Sequence, residues 1–151
     1  MFIKPLVPIL LLFTSLLILS VANAYAFAWL NSLAFECATI ETGLDWFSPT
    51  GQFLLLVIVA PIVETYLFIH LPYEGLAFIG IQNRTVQTIC SSLVFASFHF
   101  YCWVYACMVF IGALMMNILY QYALRHRHAA FWMVSIFHAC YNLYGFLFVL
   151  P

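Results

Sequence analysis

An all-α, polytopic membrane helical bundle of about five transmembrane helices is the fold class the sequence predicts, and three observations predict it. The 151 residues are 67% hydrophobic and 6% charged, whereas a soluble domain carries about 25% charged residues. Mean hydropathy is +1.09, so lipid is the main solvent. Apolar runs near the roughly 20 residues that a helix needs to cross hydrocarbon follow one another along the chain. No alternating pattern of the membrane-barrel kind interrupts them.

Taken in order, the first run covers residues 6–30 and predicts an N-terminal membrane anchor, residues 1–30. Lys4, the core at 9–21 and the small residues Ala22 and Ala24 also resemble a cleavable signal. The apolar stretch continues through Tyr25 to Trp29, beyond a signal core, which favours a retained anchor. Residues 31–52 hold Glu36, Glu41, Asp45, Ser48, Pro49 and Gly51 and read as an extracytoplasmic loop. The second span is placed at 53–71. A loop follows, opened by Pro72, Glu74 and Gly75 and closed by Gln82, Asn83 and Arg84. The remaining spans fall at 86–101, 103–124 and 129–150, making 53–149 one helical core.

Threading five spans alternately puts Lys4, Arg84, Arg125 and Arg127 on one side and the acidic residues of 31–52 on the other. Basic residues accumulate in cytoplasmic loops, which predicts a multi-pass protein of the plasma (inner) membrane with a cytoplasmic N-terminus and an extracytoplasmic C-terminus. The net charge of −1 rests on nine charged side chains and offers no basic patch, so no nucleic-acid partner is expected. The five cysteines are odd in number, show no CxxC spacing and read as small buried hydrophobes.

Ionisable or strongly polar groups inside spans are costly and mark functional sites. Four stand out: Glu64, His99, and the pair His138 and Asn142, which at i and i+4 share one helix face. A carboxylate can take a proton from water, imidazoles can orient or relay, and an amide can donate to a developing oxyanion. This is the kit for amide hydrolysis. No Ser or Cys accompanies the set with an evident base, so a water nucleophile is the economical choice. His70, six residues after Glu64, lies about 240° around the helix and is left outside the set. Thr65 and Asn117 read as helix-packing residues, and the segment from Arg125 to His128 as a loop near lipid headgroups.

These residues occur in the order and context of the CAAX protease and bacteriocin-processing (CPBP, Abi-type) family of intramembrane proteases, which the chain resembles. Phe95 with His99 matches one family motif, His138 with Asn142 matches another, and the approach Ala60, Pro61, Ile62, Val63, Glu64 is similar to the start of a third. The likeness covers about residues 53–148. It implies that Glu64 is the general base activating water, that His99 holds the water with it, and that His138 and Asn142 stabilise the oxyanion. The second Glu and the Arg of the family's first motif are replaced by Thr65 and Ile69, a departure that balances in charge.

The resulting expectation is an intramembrane endopeptidase acting on a membrane-associated or lipidated polypeptide, with the lipid bilayer as its medium. Two alternatives stand beside it. One is a catalytically inactive scaffold or immunity-type protein of the same fold. The other is a membrane protein in which His99 and His138 ligate haem or a metal from facing helices. The water mechanism requires no cofactor; a divalent metal such as zinc would draw on Glu64, His99 and His138.

Overall fold

The computed structural model describes residues 6–35 and 46–149. Lys4, Glu36, Cys37, Glu41 and Asp45, with the acidic loop and orientation readings that used them, lie outside those residues. Helices α1 (Leu6–Ala34), α2 (Pro49–Phe78), α3 (Arg84–Ser97), α4 (Trp103–Arg125) and α5 (Ala130–Phe148) make up the described fold, which is an all-helical bundle as expected. α1, α2, α4 and α5 are long and apolar enough to cross a membrane, and the chain is a multi-pass membrane protein. α3 has only 14 residues, about 21 Å of rise, and falls short of the span expected at 86–101.

Each helix starts and stops for local reasons. α1 runs unbroken through Ala22 and Ala24 to Ala34, and its Asn23 amide donates to the Met108 carbonyl of α4 at 2.9 Å. α2 begins at Pro49, four residues before the expected Phe53. Ser48 caps it by accepting the Gly51 N–H at 3.2 Å, and Pro49 occupies the first turn, where no N–H is needed. The loop expected from Pro72 to Gly75 is helix instead, and α2 stops at Gly80. There a φ of +86° lets Gly80 N–H reach Ala77 O at 3.1 Å and Ile81 N–H reach Leu76 O at 2.9 Å. Asn83 then caps α3, its side-chain oxygen accepting from Thr85 and Val86 N–H. α4 ends on the same six-residue motif as α2, with Arg127 in the left-handed region at φ 54° and His128 N–H on Ala123 O at 2.8 Å.

α4 is the central helix, packed against α1, α3 and α5. Ala113, Leu119, Tyr120 and Ala123 are wholly buried along it, the small residues letting neighbouring backbones approach. Asn117 is buried too, its amide donating to Ser92 Oγ at 3.1 Å and to Ala113 O at 3.0 Å. Gln121 donates to the Arg84 carbonyl at 2.7 Å and to Thr88 Oγ1 at 2.6 Å. That contact brings Arg84 to the same end of the bundle as Arg125.

Candidate active site

Glu64 stands in the middle of α2, between two wider turns of π type, Leu54–Val59 and Thr65–His70. In the first, Ala60 N–H bonds Leu55 O; in the second, Leu71 N–H bonds Tyr66 O, each five residues back. Pro61 and Pro72 follow these turns directly. A proline has no N–H to continue the ladder and its ring crowds the preceding turn, so a locally widened helix accommodates both without breaking. Such turns are frequent at functional sites.

Within five residues before each proline, a carbonyl accepts a side chain from a neighbouring helix. Leu56 O, five residues before Pro61, accepts the Asn142 amide of α5 at 2.9 Å. Phe68 O, four before Pro72, accepts the Ser91 hydroxyl of α3 at 2.8 Å. These bonds tie α2 to both partners that supply the histidines. Sequence reasoning missed Ser91 and the two prolines as parts of the site. The available signal was Pro61 and Pro72 inside an apolar run too long to be two separate helices.

His99 lies just past α3, not on it, which corrects the expectation of a membrane helix through Tyr101. The helix is stopped by its own motif. His99 N–H bonds Ala96 O at 3.1 Å instead of the Phe95 carbonyl, and the ring nitrogen Nδ1 takes over that freed carbonyl at 2.9 Å. A carbonyl only accepts, so Nδ1 carries a hydrogen, and the ring in its neutral form presents a lone pair at Nε2. That nitrogen is 3.5 Å from Glu64 Oε2.

His138, on α5, brings its Nε2 to 3.6 Å from the same carboxylate oxygen. Its Nδ1 is buried with no hydrogen-bond partner among the described residues. An orphaned donor costs more than an orphaned acceptor, so the hydrogen belongs on Nε2, facing Glu64. The two imidazoles thus carry opposite tautomers toward one carboxylate. Phe95 keeps them apart: its ring stacks on His99 with centroids 4.6 Å apart and packs against His138 at 5.8 Å. The phenylalanine of the motif therefore sets the spacing of the two histidines.

The structure brings Glu64, His99 and His138 together and sets Asn142 one turn, about 6 Å, further along α5, engaged with Leu56 O. The extension of α2 through Pro72 explains why Glu64 and His99 share a depth. Fourteen residues separate Glu64 from Phe78 and fifteen separate His99 from Arg84, roughly 20 Å each from that end of the bundle. Thr65 and Ile69 are fully buried, at 0% exposure. His70 points elsewhere, its Nδ1 at 2.6 Å from the Tyr120 hydroxyl.

Glu64 is 24% exposed and His99 18% exposed, so neither side chain is sealed inside the bundle. Contacts of 3.5 and 3.6 Å are too long for good direct hydrogen bonds but let one water touch both groups. Among the described residues no group of three or more His, Cys, Asp or Glu side chains is arranged to hold a metal ion. Cys90, Cys107 and Cys140 are free thiols outside the site.

The family model described as type II CAAX prenyl endopeptidase, Rce1-like, matches residues 46–144, about two thirds of the chain and all four expected site residues. No curated protein and no solved structure matches the chain.

Proposed function

The chain belongs to the Rce1-like family of type II CAAX prenyl endopeptidases, and we propose that it is an intramembrane endopeptidase that hydrolyses a peptide bond in a membrane-associated or lipidated protein by Glu64-activated water. The observation that carries this reading is the convergence of His99 Nε2 and His138 Nε2 on Glu64 Oε2. Neutral His99 and ionised Glu64 are both acceptors there, so a water between them donates both hydrogens and turns a lone pair outward. Glu64 takes one proton as the water oxygen bonds the scissile carbonyl carbon. The oxyanion accepts from His138 Nε2–H, and the amide hydrogen of Asn142 not spent on Leu56 is the further donor. When the C–N bond breaks, Glu64 returns the proton to the leaving amine.

A divalent metal such as zinc would draw on Glu64, His99 and His138 and would lower the pKa of a bound water; no step above is routed through one. The basic end holding Arg84, Arg125 and Arg127 faces the cytoplasm of the plasma (inner) membrane in this reading. The test is to reconstitute the full chain in lipid vesicles with a prenylated CAAX-type peptide and look for the two fragments by mass spectrometry. A folded protein that leaves such peptides intact sinks the proposal. A second reading, a non-catalytic scaffold of the same fold, is favoured by one feature: apolar packing at Thr65 and Ile69 where the family carries a Glu and an Arg.

A further inference from the structure

The Leu54–Val59 turn raises a question of register, since a helix in lipid must satisfy every backbone carbonyl internally. In the π register seen here, Ala60 N–H bonds Leu55 O, and the donor due to Leu56 O is residue 61. In an ordinary α register, Ala60 N–H would serve Leu56 O, and residue 61 would be due to Val57 O. Residue 61 is proline, so one carbonyl is orphaned either way. The registers differ in which. Val57 is buried, 6% exposed, and among the described residues no side chain donates to its carbonyl. Leu56 O has the Asn142 amide at 2.9 Å.

We infer that Pro61 and Asn142 together select the π register of α2, making Asn142 a positioning residue that aims Glu64 at the two histidines. Pro61 forces the choice, and Asn142 decides it by satisfying the orphan that only the π register creates. The consequence for the site is rotational. A π turn holds one residue more than an α turn, so everything beyond it is rotated by about 100° relative to a straight α-helix. Glu64 is three residues beyond Pro61. Relaxation of the turn swings its carboxylate away from His99 and His138. The inference rests on the reading of Glu64 as the base, and it adds to Asn142 a task distinct from donating to an oxyanion.

The experiment is a double-mutant cycle on the full chain, Asn142→Ala in the wild-type and in the Pro61→Ala backgrounds. Alanine in place of the proline supplies the missing N–H, so no carbonyl waits for Asn142. With the prenylated peptide, Asn142→Ala is expected to lower kcat about 100-fold beside Pro61, the scale of a misplaced catalytic group, with KM changed less than about threefold. In the Pro61→Ala background, where only the oxyanion bond is lost, the same substitution is expected to cost at least about tenfold less. Equal losses in both backgrounds overturn the inference and leave Asn142 as an oxyanion donor alone. Thermal unfolding in detergent repeats the cycle without activity: the midpoint should fall for Asn142→Ala beside Pro61 and hold in the Pro61→Ala background. Additive midpoints also overturn it. This second arm gives its answer even if no variant, wild type included, cleaves a peptide, so failure of the protease reading is seen separately.

Discussion

Replacing Glu64 by Gln changes one property of the site and little else. The side chain keeps its length and its 24% exposure, but the oxygen facing both imidazoles can no longer accept a proton. The fold should tolerate the change, because the new amide N–H can donate to His99 Nε2, which the Phe95 contact leaves as an acceptor. Stability is therefore expected within about 1 kcal/mol of wild type. Catalysis should fall by the full value of the base, about 1,000-fold within the 10²–10⁴ range for general bases, or about 4 kcal/mol of barrier. The assay is single-turnover cleavage of the prenylated peptide in vesicles, with unfolding in detergent as the control for folding. A Gln variant within about tenfold of wild type would refute the role given to Glu64. A variant that fails to fold would instead refute the argument that His99 presents a lone pair.

Ile69→Arg alone should cost about 3–5 kcal/mol, since it buries an unpaired charge where the wild-type side chain is wholly covered. Adding Thr65→Glu should recover part of that loss in denaturant titrations, and no recovery would mean the two positions cannot form a pair. Chelators should leave cleavage unchanged; inhibition that zinc restores would overturn the metal-free mechanism. His70→Phe, which removes the Tyr120 hydrogen bond, should lower the unfolding midpoint modestly, by about 1 kcal/mol of stability, and leave kcat within about threefold. A larger kcat loss would place His70 in the site.

The bundle was readable from composition and run length because lipid imposes both. His138 and Asn142 were readable because i, i+4 spacing on one helix is a geometric fact. Their division of labour was not: which one faces Glu64 depends on how α5 docks on α2, a tertiary matter. The course of α2 was misread for a physical reason. Pro72 and Gly75 are turn signals in water, where a broken helix can hydrate its carbonyls. In lipid the helix continues instead, and Ser91 and Asn142 take the carbonyls beside the prolines. The end of α3 was misplaced because no Gly or Pro marks it; the stop signal is the His99 ring itself.

The shortness of α3 bears on supply. In the proposed mechanism each turnover consumes one water, and a carboxylate some 20 Å from one end of the bundle must receive it through hydrocarbon or around it. A helix of 14 residues covers about 21 Å of a roughly 30 Å core, leaving close to 9 Å unspanned on the side where His99 emerges. The segment that fills this gap exposes Phe98, Phe100 and Tyr101, and aromatic rings of this kind settle at the lipid–water boundary. A bilayer that meets a short element thins to match it. On the proposed mechanism, a bilayer thinned in this way would bring water closest to Glu64 beside the His99 ring that ends the helix.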